Sequence, residues 1–181
     1  MTARILDGSK MAAEIRAEVA AAVKEMAASG VRPGLAVVLV GHNPASEVYV
    51  RGKVKSSEEV GIYSEKHTPP ESATTQDLLD LVADLNRREE IDGILVQLPL
   101  PSHVDAKKVL LAVDPAKDVD GFHPMNVGYL STQRPGLVPC TPAGGVRAGL
   151  IVTRASATTI VKAADLLCRL WALSVAVTVN A

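Results

Sequence analysis

The sequence predicts an α/β fold, a three-layer domain on a mostly parallel sheet over residues 1–144, followed by an Ala- and Val-rich tail over residues 145–181. Three observations carry that expectation. Short runs rich in Val, Ile and Leu, bounded by Gly and Pro, have the length and composition of buried strands. Longer segments between them place apolar residues at helical spacing. The two kinds alternate, and strand, helix, strand, helix, strand is the order of an α/β domain.

The first helix is predicted over Ala12 to Ala28, where Ala, Val, Ile and Met alternate with Glu, Arg and Lys and Ser29-Gly30 supplies a stop. Leu35 to Val40, between Pro33-Gly34 and Gly41, reads as a buried strand. Asn43-Pro44 then starts a helix, because Asn caps orphan amides and a proline in the first turn gives up a donor that has no helical partner. Gly61-Ile62-Tyr63 opens a second strand, which Pro69-Pro70 breaks. Thr74 to Arg88 is the next helix, with Thr75 as a candidate N-cap and Leu78, Leu79, Leu81, Val82 and Leu85 facing inward. Ile91 to Leu98 is almost continuously apolar and suits a central parallel strand. Asp105 to Val113 reads as a short helix, and Asp114 to Pro124 as an acidic loop stiffened by Pro115 and loosened at Gly121.

Bulk composition narrows the function. With 181 residues and 48% hydrophobic side chains, the chain has the length and apolar content for one domain with a real core. Nineteen basic against 20 acidic residues leave a net charge of −1, which gives no electrostatic reason to expect nucleic acid or an anionic membrane as partner. The N-terminus shows no signal-peptide pattern, so a cytoplasmic location is expected. Cys140 and Cys168 are then expected as free thiols. The four histidines, His42, His67, His103 and His123, have no ligand spacing, and no metal site is expected.

Three places carry polar groups that a core does not need. On a helix starting at Asn43, Tyr49 and Lys53 lie one turn apart on one face, with Ser46 a turn earlier, just beyond a strand end where open α/β folds bind ligands. The same spacing also suits a packed ring beside a solvated amine. Gln97 closes an otherwise apolar strand, where it must find partners or cost about 1 to 3 kcal/mol. It either ties down nearby backbone or faces a polar pocket. Asp118 and Asp120 sit in the acidic loop, suited to accepting from a ligand, to capping a helix or to pairing with Lys117.

Four motifs, in order and in register, tie these places together: N-P-A-S-x-x-Y-V-x-x-K at Asn43 to Lys53, V-Q-L-P-L-P at Val96 to Pro101, K-D-V-D-G-F-H-P at Lys117 to Pro124, and P-C-T-P at Pro139 to Pro142. From about Leu6 to Gly144 the chain resembles the bifunctional methylenetetrahydrofolate dehydrogenase/methenyltetrahydrofolate cyclohydrolase family. The resemblance implies an α/β folate-substrate domain, normally followed by a Rossmann-type NADP-binding domain, with tetrahydrofolate derivatives as partners and a homodimer as the family's assembly. It implies Lys53 as the principal catalytic residue and Tyr49 as the group that positions the folate rings. Gln97 would hydrogen-bond and tune Lys53, and Asp120 would hold the polar edge of the pterin. Ser46, Asp118, Leu98 and Pro99 would line the substrate site.

The chemistry agrees with that carry-over. A methenyl bridge is an amidinium-like cation, so water must be activated for attack and a ring nitrogen must take a proton as it leaves. An amine with an ordinary pKa of about 10.4 does neither well; desolvation and a neighbouring cation would both favour its neutral form.

After Gly144 the resemblance ends. No glycine follows Gly149, so the phosphate-cradling turn of an NADP site is not expected in 145–181, and a shifted frame or a truncation near Gly144 accounts for such an abrupt change. Dehydrogenase capacity of this chain is therefore in question from the sequence, and a folate-binding remnant of low activity is the alternative. A short-chain dehydrogenase, which shares the Tyr-x-x-x-Lys spacing, is a remote one, because only one glycine lies in Ile5 to Gly8.

Overall fold

The computed structural model describes residues 8–139. The expectations for Cys140, Cys168, the end of the P-C-T-P motif and the tail lie outside the described residues. Within them the order is α1 (Gly8–Ala28), β1 (Gly34–Val38), α2 (Pro44–Glu59), β2 (Tyr63–His67), α3 (Thr75–Arg87), β3 (Gly93–Val96), α4 (Ala106–Ala112) and α5 (Pro124–Ser131). The three strands form one parallel sheet in the order β2-β1-β3.

Period-two alternation along β1 builds the three layers. Leu35, Val37 and Leu39 face one side, where they join Ala12, Ile15, Val19 and Val23 of α1 and Val50 of α2. Ala36, Val38 and Val40 face the other, against Leu78, Val82 and Leu85 of α3 and Val109 of α4. Both faces of β1 are covered, which is why its burial is unbroken while a one-sided strand would alternate with polar residues.

The helices end where their sequences say they should, with small shifts. α1 begins at Gly8, earlier than its apolar stripe, and closes in a Schellman pattern: Gly30, at φ +78°, donates to Ala27 O, and Val31 donates to Met26 O. Asn43 caps α2 through Ser46 N at 3.1 Å, with Pro44 in the first turn. For α3 the cap is Thr74, not Thr75. Thr74 and Asp77 form a capping box, and the Thr75 hydroxyl instead accepts from Asp105 N at 3.0 Å. Leu78, Val82 and Leu85 are buried as expected and Leu81 packs against them, whereas Leu79 is only partly covered.

Two expectations change. The strand expected at the centre, β3, lies beside β1 at one end of the named sheet, and β1 is central. β3 is nonetheless buried because the acidic loop covers its outer edge: Ile94 N donates to Lys117 O at 2.7 Å, and Ile94 bridges Asp118 in the parallel sense. The second is α5, which sequence periodicity does not reveal. Met125, Val127 and Leu130 on it are exposed, so its apolar residues form no inward stripe. His123 caps it, its ring nitrogen accepting from Met125 N at 3.2 Å.

Candidate functional site

Topology brings the polar groups to one edge. β1 leads through α2 to β2 on one side, and the chain then crosses by α3 to β3 on the other, so the crevice beyond the carboxyl ends of β1 and β3 is the switch point of the sheet. α2 starts there, at the turn where Gly41, at φ +69°, donates to Pro69 O. Gln97 follows directly after β3, its amide donating to Val38 O at 2.9 Å. Because the acidic loop pairs with β3 in the parallel sense at Asp118, it carries Asp120 toward the same edge.

The inward face of α2 is Ser46, Val50, Lys53 and Ser57, at spacings of four, three and four. Lys53 is therefore on the buried stripe, only 5% exposed, where a lysine is rarely found. Its Nζ lies 4.2 Å from the centroid of the Tyr49 ring, a cation–π distance. Asp120 is buried as well, and its Oδ1 has no hydrogen-bond partner among the described residues. Burial pushes the Asp120 carboxyl up to about 7; the Lys53 charge pulls it down, and the Asp118 charge adds to the rise. The Asp120 carboxyl and the Lys53 amine are thus buried within reach of each other's charge, with the Tyr49 ring against the amine, and the acid is left poised near neutrality.

The other expected residues divide. Asp118 is buried and its Oδ2 is engaged in structure, accepting from His123 N at 2.8 Å and from Asn126 Nδ2 at 3.0 Å. Gln97 closes on its own neighbour: Nε2 donates to Leu98 O at 2.8 Å, and Oε1 is buried with no donor among the described residues. The hydrogen bond expected from Gln97 to Lys53 is not made. Leu98 and Pro99, joined by a cis peptide bond, are exposed just beyond β3, and Ser46 lies buried one turn before Tyr49. Lys117, considered above as a partner for the loop carboxylates, instead donates to Leu85 O, Asn86 O and Arg88 O at 3.3, 2.9 and 2.8 Å, closing the C-terminus of α3. Asn126, buried in α5, was not marked by the sequence; a lone amide in an apolar octapeptide is its only signal.

Among the described residues no three His, Cys, Asp or Glu side chains converge to hold a metal ion. No described helix is long and apolar enough to cross a membrane. The turn from β1 into α2, Gly41-His42-Asn43-Pro44, has a single glycine and a proline without an N–H, where a phosphate cradle uses several free amides.

Comparison with known proteins agrees with this geometry. Residues 6–120 match the profile of the tetrahydrofolate dehydrogenase/cyclohydrolase catalytic domain. The bifunctional protein FolD of Koribacter versatilis is 74% identical over 144 residues, which cover 80% of this chain and 47% of the relative. The crystal structure of the bifunctional FolD enzyme from Campylobacter jejuni superimposes with a TM-score of 0.77 at 43% identity, covering 78% of this chain and 51% of that one. The Trypanosoma brucei methylenetetrahydrofolate dehydrogenase-cyclohydrolase, solved with NADP and an inhibitor, gives 0.77 at 34% identity, covering 83% and 54%. The chain spans about half the length of the curated relatives it matches. On the extent of the matched profile, the chain belongs to the tetrahydrofolate dehydrogenase/cyclohydrolase family.

Proposed function

We propose that residues 1–144 form a folate-substrate domain whose recess at the switch point acts on one-carbon tetrahydrofolates, interconverting the methenyl and 10-formyl forms by a cyclohydrolase step. The observation that carries the reading is the buried amine of Lys53, seated against the Tyr49 ring and electrostatically coupled to the buried Asp120. Burial of a lysine in so small a domain is expensive unless the charge is used.

In this reading the Tyr49 ring supports the flat folate ring system. The Asp120 carboxylate accepts from the paired N–H donors of the pterin edge, for which its unmatched Oδ1 is suited. Lys53 acts as base once the cationic substrate, entering beside it, favours the neutral amine. A C–O bond forms between water and the methenyl carbon as the amine takes a proton from that water. The hydroxyl oxygen then closes to C=O and releases its own proton to solvent as the C–N5 bond breaks, the bond's electron pair returns to N5, and the ammonium gives its proton to N5. The net change is cation plus water to N10-formyl product plus one released proton. Gln97 Oε1, buried at the same edge, is the acceptor available to the attacking water.

For a dehydrogenase step, a nicotinamide would supply the hydride acceptor, and Tyr49, Lys53 and Asp120 would hold the folate whose methylene bridge gives the hydride. A cytoplasmic site of action suits small soluble substrates of this kind.

The test compares the full chain with Lys53→Met in hydrolysis of methenyltetrahydrofolate. A loss of roughly 10²- to 10⁴-fold in kcat is expected for removal of a general base. Equal rates in the two proteins would remove the catalytic claim and leave a folate binder. The short-chain dehydrogenase reading is not supported, since Tyr49 and Lys53 meet here as ring face and amine on α2, with no dinucleotide cradle beside them among the described residues.

A further inference from the structure

The Asp120 carboxylate does its proposed work from a loop, and a loop must be fixed by something. Besides its bridge to β3 and the Lys117 contacts with α3, this loop is fixed by hydrogen bonds at Asp118 and Pro115. Gly121 N donates to Asp118 O at 3.2 Å, and His123 N to Asp118 Oδ2 at 2.8 Å, which folds the chain tightly around Asp120. Asn126, only 2% exposed, then donates from Nδ2 to both Asp118 Oδ2 at 3.0 Å and Pro115 O at 2.8 Å. One amide group thereby ties the start of the loop, at Pro115, and its bridge residue Asp118 to the first turn of α5. Gly121 completes the fold: it sits at φ +66°, and a Cβ there would lie 2.8 Å from Pro139 N.

We infer that Asn126 is a positioning residue for this site, acting through Asp118 to hold the Asp120 carboxylate in the recess facing Lys53. The inference rests on the folate reading for its kinetic consequences but not for its structural ones. The Asn126 Nδ2 group donates both of its described bonds to the loop. A buried amide that satisfies a buried carboxylate and a carbonyl together is costly to replace, because both acceptors are then left short.

The alternative is that Asn126 merely stabilises α5. The two roles separate in three proteins made as the full chain: Asn126→Leu, Asp118→Asn and the unaltered sequence. Asp118→Asn keeps an oxygen to accept from His123 N and Asn126 Nδ2 while removing the charge, so it tests geometry apart from electrostatics. Two readouts are taken on each, the Asp120 carboxyl titration by carbon-13 NMR and the KM and kcat for methenyltetrahydrofolate. In Asn126→Leu the Asp120 midpoint is expected to fall from about 7 toward the ordinary carboxylate range as water reaches the loosened loop. KM should rise roughly tenfold with kcat held within about threefold, the pattern of lost substrate placement. In Asp118→Asn the midpoint should also fall, because a repelling charge is gone while the loop's acceptor oxygen is kept, which gives the size of the electrostatic part alone.

An Asn126→Leu protein that is folded by circular dichroism yet keeps the native Asp120 midpoint and KM overturns the proposal. If that variant does not fold, the unaltered protein decides: the Asn126 side-chain amide signals must follow the Asp120 titration, and signals that ignore it overturn the proposal as well. A midpoint that moves as expected in a protein with no hydrolytic activity at all sustains the positioning role and removes the folate reading instead.

Discussion

Two carboxylates in this domain lie in partly or fully buried surroundings beside a cation, and they end at opposite extremes. Glu65, on β2, would be pushed up by burial, but Arg88, His67 and Tyr63 all reach it, at 2.6, 2.7 and 2.8 Å, and their hydrogen bonds with the Arg88 charge hold its pKa at about 2. Asp120 has a charge nearby and no hydrogen bond to its Oδ1 among the described residues, and burial carries it to about 7. The difference is not proximity of a cation but the number of donors aimed at the oxygens. A saturated carboxylate fastens the structure, here edge strand β2 to the end of α3. An unsaturated one stores an unmet demand that a ligand can meet.

The pH dependence of stability is where that contrast should show most strongly. Asp120 has a folded pKa above its unfolded value near 3.8, so the folded state holds the extra proton between about 4 and 7. Stability from this group is fully present below pH 4 and is lost as pH rises through 7, by an amount on the order of a few kcal/mol. Asp120→Asn should flatten the fall seen in urea unfolding between pH 4 and pH 7; an identical fall in both proteins would show that the strain lies elsewhere. Glu65 runs in the opposite sense. Its folded pKa is depressed, so its contribution is present above pH 4.5 and disappears as pH falls toward 2.

A smaller effect should follow from removing the donor that makes Glu65 different. Arg88→Ala leaves Glu65 with two partners and breaks the link to Glu90, and should cost roughly 1 to 3 kcal/mol at pH 7 while leaving kcat for methenyl hydrolysis unchanged. A fall in kcat without loss of stability would mean that the two carboxylates are not functionally separate. The smallest effect expected is at the start of α3, where Thr74→Ala removes one half of the capping box for about 1 kcal/mol, again without kinetic consequence. Thermal melts of the three variants side by side would rank them.

What the sequence made legible was whatever depends on period and on punctuation. The β1 run, its proline-capped helix and the α3 stripe follow from apolar spacing and from Gly, Pro, Asn and Thr at their ends, while the grouping of Lys53, Tyr49 and Asp120 came from the family resemblance and not from spacing. Less legible was whatever depends on which neighbour a group finds. Nothing local distinguishes Thr74 from Thr75 except the Asp77 that sits three residues after the first, and that spacing would have chosen correctly. The burial of β3 signalled a central strand because a covering loop hides an edge as well as another strand does. α5 escaped because its apolar residues point outward, and Asn126 because a single amide acquires meaning only from the two oxygens it meets.

The three carbonyls gathered by Lys117 carry a final consequence. One ammonium closes the last turn of α3 in one outer layer of the sandwich, and its own residue lies three before Asp120 in the acidic loop. Fraying of that turn and slackening of the loop are thereby linked through shared hydrogen bonds. A ligand gripping the loop would lengthen the lifetime of amide protons at the far end of α3, a region it never touches.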